Sequence, residues 1–240
     1  MKTEVRGTIE EAALAAAEAI IAHIHATPNA LLCLAGGDTP LPVYRALIAA
    51  HKAGRVDLHS VRYVALDEWV GLGYEDMGSC KQMMFDNFYL PAEIPADHVT
   101  FFDGRAADIN AEAIRVANSI DACGGISLTL LGIGMNGHIG FNEPNRKSEA
   151  TVAVYDLDET TVNVGRKYFG GSTAPGKGIT VTITALSRAD TVIYIATGAH
   201  KHDICKRILS SEPTPAIPAT MMKGHQNITL YADTSVQIAD

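Results

Sequence analysis

Residues 30–40, ALLCLAGGDTP, decide the fold class of this 240-residue chain. The apolar run ALLCLA is typical of a buried strand, and a Gly-Gly pair ends it. Thr39 can cap a new helix whose first residue, Pro40, needs no amide donor. That helix is predicted to continue to Ala53. A buried strand that turns through glycines into a helix is the unit from which parallel α/β sheets are built.

Strands and helices alternate on both sides of this unit. The capping-box spacing of Thr8 and Glu11 predicts a helix from about residue 8 to residue 26. Further strands are predicted at 61–66, 99–102, 126–131, 151–154, 179–183, 192–196 and 228–231, and further helices at 79–89, 106–122 and 200–209. The predicted fold class is therefore α/β, a Rossmann-like three-layer sandwich with a mostly parallel sheet. No repeat or linker divides the chain, so residues 1–240 are expected to form one domain.

Composition excludes several classes of protein. Nineteen Lys and Arg against 27 Asp and Glu give a net charge of −8 without a basic run, which does not suit binding to nucleic acid or anionic membranes. The four cysteines include no CxxC pair, so neither a zinc ribbon nor a disulfide framework is expected. The N-terminal region carries acidic residues, and no apolar run approaches the roughly 18 residues of a membrane span. We expect a soluble, cytoplasmic protein.

Unusual residues follow four of the predicted strands, at the sheet edge where open parallel sheets bind ligands. The four segments are Gly36 to Pro40, Asp67-Glu68, Gly132 to Pro144 and Thr197 to Lys201. In the first, glycines and a helix N-terminus suit an anion, although an ordinary βα turn explains them equally well. The negative charge of Asp38 disfavours a phosphate there unless its side chain points away.

Two of these segments offer charged side chains. Asp67 and Glu68 directly precede Trp69, and an apolar setting suits a carboxylate that acts as a general base. A solvated turn is the plainer interpretation. Lys201 could hold a phosphate as a point charge, or could be a surface lysine. Arg166 and Lys167 are further candidate cations, which a solvated helix face explains equally well.

The segment LGIGMNGHIGFNEPN, residues 131–145, contains a GxGxxG pattern after a strand. A dinucleotide-binding fingerprint must run directly into a helix, and the Gly, Asn and Pro that follow oppose one, so we reject that interpretation. What remains is a glycine-bent loop that presents Asn136, His138 and Glu143. A lone histidine is more often structural. A histidine held by a carboxylate, however, can transfer protons near neutral pH.

Together, these segments resemble the glucosamine-6-phosphate deaminase family, whose fold is shared by 6-phosphogluconolactonases. LAGGDTPLPVYRAL resembles the family's phosphate loop and helix, VALDEWVGL its acidic strand end, and TGAHKHDICKRIL its late lysine segment. GHIGFNEP is the most specific match. The lactonase branch shares the Gly-His but generally lacks the Phe-Asn-Glu-Pro that follows, which favours the deaminase branch.

The resemblance implies conversion of an amino-sugar phosphate and water to fructose 6-phosphate and ammonium, without a metal ion or organic cofactor. By matching position, His138 would assist opening of the pyranose ring, and Glu143 and Asn136 would orient it. Asp67 would remove the C2 proton and return one at C1. The implied phosphate-binding residues are Gly36, Gly37, Thr39, Lys167 and Lys201.

The chain departs from the family pattern at three places. Asn136 stands where the larger, hexameric members have Asp, and Asp38 stands where the family usually has Ser or another small residue. The segment after Pro144 lacks the Arg/Lys pattern of the allosteric subfamily. We therefore expect a monomer or small homo-oligomer whose partner is a small-molecule sugar phosphate.

Three alternatives remain at this point. The substrate could be galactosamine 6-phosphate, which would give tagatose 6-phosphate, or the chain could be a 6-phosphogluconolactonase. A sugar-phosphate-sensing domain of a transcriptional regulator is the non-enzymatic alternative. Such a regulator needs a DNA-binding module, and the sequence offers no helix-turn-helix candidate. A sensor could also lose Asp67 or His138, and both are present.

Overall fold

The computed structural model describes residues 1–170, 172 and 174–238, in which ten strands form two sheets. The strands are β1 (Lys2–Arg6), β2 (Leu31–Leu34), β3 (Arg62–Ala65), β4 (Asp67–Trp69), β5 (Val99–Thr100), β6 (Leu128–Gly132), β7 (Val152–Asp156), β8 (Lys177–Val181), β9 (Thr191–Ala196) and β10 (Ile228–Asp233). The α-helices are α1 (Ile9–Ala26), α2 (Leu41–Lys52), α3 (Cys80–Met84), α4 (Ile109–Ala122), α5 (Glu159–Gly165), α6 (Ile183–Leu186) and α7 (His202–Ser210). A π-helical turn, Phe85–Tyr89, continues α3, and 3-10 turns lie at Leu58–Ser60, Ala96–His98, Arg166–Phe169, Ala199–Lys201, Pro218–Met222 and Thr234–Val236.

Seven strands form a wholly parallel sheet in the order β1-β10-β9-β6-β2-β3-β5. Helices cover this sheet, and α1 packs against α2 and against β9 and β10. The predicted α/β fold with a mostly parallel sheet is confirmed. The strands predicted near 151 and 179 do not join it, however. With β4 they form a separate antiparallel sheet in the order β4-β8-β7.

The strand order of the large sheet reverses between β2 and β6. From β2 the chain runs outward through β3 to β5, and it then returns to the other side of β2 as β6. Loops that leave neighbouring strands in opposite directions open a crevice at their carboxyl ends. The glycine turn after β2 and the His138 loop after β6 both begin at this crevice.

Local signals set most helix starts. Thr8 accepts a hydrogen bond from the Glu11 N–H at 3.1 Å while its own N–H donates to the Glu11 carboxylate at 3.2 Å, so the predicted capping box is present. The prediction that Thr39 caps α2 is wrong. Pro40 occupies the cap position with helical backbone angles, and its carbonyl accepts the N–H groups of Val43 and Tyr44, so α2 begins one residue later, at Leu41.

Other boundaries differ for equally local reasons. The strand predicted at 179–183 ends at Val181, because Thr182 caps α6 and accepts a hydrogen bond from Ala185. The helix predicted from residue 106 begins at Ile109, after the cap residue Asp108. Four further elements, β1, β4, α5 and α6, are not predicted from the sequence, because they are short or carry no apolar run.

All four cysteines carry free thiols, and three of them are buried. None of the helices in the described part of the chain combines the length and apolar character needed to cross a membrane. Among the same residues, no group of three or more His, Cys, Asp or Glu side chains is arranged to hold a metal ion.

Candidate functional site

A cavity of about 840 Å³ opens at the crevice between β2 and β6. Its lining includes most of the residues that the sequence singled out: Gly36, Gly37, Thr39, Asp67, His138, Lys167 and Lys201. Asn136 and Glu143 lie behind His138. Arg166 is exposed and is not part of the lining. The fold therefore gathers residues that are up to 165 positions apart in the sequence.

The position of Asp67 results from the passage of the chain from one sheet to the other after β3. The chain leaves the parallel sheet at Leu66, and Asp67 begins β4, where it pairs with Thr180 of β8. Only 9% of Asp67 is exposed. Burial raises the pKa of this carboxyl to about 6, although the His138 charge and a hydrogen bond with Cys80 oppose the shift. Asp67 is thus ionised at neutral pH but can readily take up a proton.

Glu68 is fully buried and is not part of the cavity lining. Its carboxylate accepts the backbone N–H groups of Trp69, Cys80 and Lys81 at 2.8, 3.0 and 2.8 Å. Two of these donors belong to the first turn of α3, so Glu68 ties that helix to β4. Burial raises the pKa of Glu68, and the three N–H groups act against this rise. We interpret Glu68 as a structural support for Asp67.

The His138 imidazole is held from the side of its Nδ1 atom. Nδ1 lies 2.9 Å from the Thr161 hydroxyl and 3.6 Å from Oε2 of Glu143. Glu143 is 2% exposed. Burial raises the pKa of Glu143, but its contacts with His138, Thr161 and Asn136 outweigh burial and leave the pKa below its usual value. An ionised carboxylate behind Nδ1 favours a proton on that nitrogen, which leaves Nε2 as the acceptor.

Asn136 contacts the loop backbone and Glu143, and so holds His138 indirectly. Its Oδ1 accepts the backbone N–H of His138 at 3.1 Å, and its Nδ2 donates to Glu143 Oε2 at 3.0 Å. A carboxylate at this position would repel Glu143, whereas the amide donates to it. The observed contacts therefore give a physical reason why Asn is accommodated at position 136.

Lys201 is a buried cation on the cavity wall. It is 7% exposed, and its Nζ donates to the Ile133 carbonyl at 2.6 Å. Burial lowers its pKa, and no carboxylate in the described part of the chain forms an ion pair with it. A buried ammonium group without a counter-ion favours an anionic ligand.

Lys167 is placed differently. It is half-exposed in the 3-10 turn after α5, and its Nζ lies 2.6 Å from Oδ2 of Asp38. The two lysines therefore differ in availability: one is buried without a carboxylate partner, and the other is already paired.

Sequence reasoning missed several residues of the cavity. Thr161 belongs to α5, which carried no recognised helix signal, and only the fold brings its hydroxyl to His138. Met83 lies under the glycine turn, where its sulfur accepts the Gly37 N–H at 3.2 Å. Tyr168 lines the cavity next to Lys167. The capping residue Asp158, followed by an acidic residue in the first turn, Glu159, is a local signal that could have revealed α5.

The strand order and the cavity define a doubly wound α/β protein with a cavity where such folds bind small molecules. The chain belongs to the family described as glucosamine-6-phosphate isomerases/6-phosphogluconolactonase, whose model matches residues 4–231. This confirms the family that the sequence motifs indicated.

Individual relatives agree with this assignment. The chain is 35% identical over 234 residues to the glucosamine-6-phosphate deaminase of Thermoanaerobacter sp. (strain X514), covering 97% of this chain and 92% of the relative. It is 37% identical over 216 residues to the same-named protein of Lachnoclostridium phytofermentans, covering 90% and 92%.

Solved structures extend the comparison. A monomeric glucosamine-6-phosphate deaminase matches with a TM-score of 0.94 and 30% identity, over 99% of both chains. A 6-phosphogluconolactonase from Trypanosoma brucei matches with a TM-score of 0.79 and 23% identity, covering 99% of this chain and 98% of that one. The second match shows the shared fold alone.

Proposed function

We propose that the chain is a glucosamine-6-phosphate deaminase, which converts glucosamine 6-phosphate and water to fructose 6-phosphate and ammonium. Relatives of that name are 32% to 37% identical to it over 90% or more of its length. The observation that carries the proposal is the convergence on one cavity of a buried Asp67, a Glu143-backed His138 and a buried Lys201.

His138 opens the pyranose ring in this proposal. Its Nε2 accepts the proton of the C1 hydroxyl and passes a proton to the ring oxygen as the C1–O5 bond breaks. The Glu143 carboxylate stabilises the imidazolium that forms between the two transfers, because it lies 3.6 Å from Nδ1.

Asp67 then catalyses the isomerisation. Its carboxylate removes the C2 proton of the open-chain aldehyde while the aldehyde oxygen takes up a proton. The C2 proton or an exchanged one then returns at C1 and the amino nitrogen gives up one proton, which yields an imine at C2 beside a C1 hydroxymethyl group. Water adds to that imine and ammonium leaves, giving the ketose phosphate. A carboxyl with a pKa of about 6 suits both transfers, because it gains and loses a proton near neutral pH.

The proposal assigns the phosphate to Gly36, Gly37 and Thr39 of the turn after β2, with Lys167 and Lys201 as cations, because all five residues line the same cavity as Asp67 and His138. A phosphate oxygen would replace the Met83 sulfur as the acceptor of the Gly37 N–H, since an anionic oxygen is the stronger acceptor.

The buried Asp67 favours deamination over lactone hydrolysis. A lactonase needs a group that activates water, and His138 could supply it. The lactone reaction removes no proton from carbon, however, and a carboxylate held in a buried position at a cost in stability would then have no role. The alternative amino-sugar substrate, galactosamine 6-phosphate, differs from glucosamine 6-phosphate only in the orientation of its C4 hydroxyl.

Purified protein incubated separately with glucosamine 6-phosphate, galactosamine 6-phosphate and 6-phosphogluconolactone tests the proposal. We expect ammonium and fructose 6-phosphate from the first substrate at the highest kcat/KM. Faster release from the galactosamine ester would reassign the substrate. Lactone hydrolysis without ammonium release from either amino sugar would reject the proposed reaction.

The rate should depend on pH through Asp67. This carboxyl must be ionised to accept the C2 proton, so kcat should fall as the pH drops through about 6, approaching tenfold per pH unit below it. Measuring kcat at saturating substrate separates this effect from protonation of the substrate phosphate, whose second pKa is about 6. A kcat that stays constant down to pH 5 would contradict the assignment of Asp67 as base.

Gly134 leaves room for the catalytic imidazole. A Cβ atom at this position would overlap the His138 ring. We expect Gly134→Ala to lower kcat about 100-fold by displacing the imidazole. Gly224→Ala is the matched control, because a Cβ atom at Gly224 meets nothing within 4 Å. Equal activity of the two variants in an ammonium-release assay would show that the position of the ring is unimportant.

Domain organisation, oligomeric state and cellular location are part of the same proposal. The proposal has one catalytic domain over residues 1–240, working as a monomer or small homo-oligomer; the structural relative with 30% identity is described as monomeric. A cytoplasmic location agrees with four free thiols and with a phosphorylated substrate.

A further inference from the structure

An ion pair crosses the mouth of the cavity. Asp38 lies in the turn after β2, and Lys167 lies in the 3-10 turn after α5, 129 residues further along the chain. Their side chains approach to 2.6 Å. The Tyr168 hydroxyl lies 3.5 Å from the same Asp38 oxygen, and its ring stacks 4.7 Å from Lys167 Nζ. All three residues line the cavity.

The pair changes the charge that a ligand meets. Two lysines, Lys167 and Lys201, line this part of the cavity, and Asp38 cancels one of them. His200 also lines the cavity, but burial and the neighbouring Lys201 charge lower its pKa, so it adds no positive charge above neutral pH. The net charge of these side chains is about +1, whereas a phosphate monoester carries close to two negative charges.

We propose that Asp38 determines the charge selectivity of this end of the cavity, by competing with the ligand for Lys167. It weakens the binding of dianionic phosphate esters more than that of monoanionic esters, such as an amino-sugar 6-sulfate, and so reduces the preference of the site for the dianion. The inference rests on the proposed function only for the location of the phosphate group.

Coulomb's law gives the pattern that identifies a charge effect. One fixed negative charge repels a dianion with twice the energy that it repels a monoanion at the same place. Removing that charge therefore improves dianion binding by about the square of the factor for the monoanion. Because the Asp38 and Lys167 side chains are 60% and 51% exposed, solvent weakens the effect. When the Asp38 charge is removed, we expect affinity to rise about threefold for a sulfate ester and about tenfold for a phosphate ester.

Asp38→Asn tests the proposal. Dissociation constants for glucosamine 6-phosphate and glucosamine 6-sulfate are measured by calorimetry at pH 8, in an Asp67→Asn background that prevents turnover. The two esters have nearly the same shape and differ by one charge. Asp38→Glu retains the charge and should show neither gain. Glu18→Gln is the matched control, because Glu18 forms an exposed ion pair with Arg55 at 2.8 Å and does not line the cavity.

A larger gain for the phosphate ester than for the sulfate ester, absent in Asp38→Glu and Glu18→Gln, supports the proposal. No gain, equal gains for both esters, or the same gain in Asp38→Glu would overturn it, as would a wild-type site that binds neither ester. Failure of the proposed function gives a different result: wild-type protein releases no ammonium from glucosamine 6-phosphate, while the charge pattern in ester binding is still measurable.

In the active enzyme, the same change should mainly affect KM. Asp38→Asn should lower KM for glucosamine 6-phosphate by about the calorimetric factor and change kcat less. A change confined to kcat would place Asp38 in the chemical step and contradict a role in charge selectivity.

Discussion

Asp67→Asn is expected to lower kcat for glucosamine 6-phosphate by about 10³- to 10⁴-fold, because an amide cannot accept the C2 proton. Binding should change little, since the substitution keeps the shape of the side chain. Ammonium release measures the rate, and calorimetry measures the dissociation constant. Asp97→Asn, a change at an exposed aspartate outside the cavity, serves as the control. Turnover within tenfold of wild type in Asp67→Asn would remove Asp67 from the mechanism.

The same substitution should stabilise the fold at neutral pH. Burial raises the pKa of Asp67 from 3.8 to about 6, so the folded state favours the protonated carboxyl, and ionisation costs stability as the pH rises through this range. At 1.36 kcal/mol per pKa unit the cost at pH 7 is at most about 3 kcal/mol. Asn does not ionise, so the variant should unfold at higher urea concentration at pH 7.5.

Most of the gain in stability should disappear as the pH falls to 4, close to the unfolded-state pKa of 3.8, because below that pH the wild-type carboxyl is protonated in both the folded and unfolded states. A gain that is constant from pH 4 to pH 7.5 would show that packing, and not ionisation, causes it. A stabilised but inactive variant is the usual sign of a residue kept for function.

His138→Gln is expected to lower kcat for glucosamine 6-phosphate by about 10²- to 10³-fold, because the amide can neither accept nor donate the ring-opening protons in turn. A 4,5-dideoxy analogue lacks the hydroxyls that close the furanose and pyranose rings, so its reaction should slow much less. His25→Gln, at an exposed position of α1, is the control. Equal slowing of both substrates would assign His138 to a later step.

His138→Gln should also shift the pH dependence of kcat. Burial raises the pKa of Asp67, and the charge of His138 partly offsets that rise. Without the imidazole the offset is lost, so the acid limb of kcat should shift to higher pH. An unchanged acid limb would mean that the two side chains do not interact through their charges.

The elements that the sequence predicted well are those whose signals are local. The strand before the glycine turn is buried because every residue in it is apolar, and the Thr8–Glu11 capping box lies within four consecutive residues. Edge strand β1 was not predicted, because it is largely polar and is stabilised by pairing with β10, more than 220 residues away. Strand β4 has only three residues, two of them acidic, and is defined by its partner β8.

The same distinction applies to the site. The motifs around Asp67, His138 and Lys201 each stand at the end of a strand, so their common edge followed from the alternation of strands and helices. Contacts between segments that are distant in the sequence could not be predicted from this alternation. The Thr161 contact with His138 and the pairing of Asp38 with Lys167 both depend on how α5 and the turn after it lie over the cavity.

Sequence alone determined the family, the parallel α/β sheet and the residues that reach its carboxyl edge, because apolar runs, glycine turns and caps act over a few residues. The tertiary structure alone decided the burial of Asp67, the nitrogen by which His138 is held and the lysine that Asp38 neutralises. Burial and charge pairing are properties of the space around a side chain, and that space is filled by segments far away in the sequence.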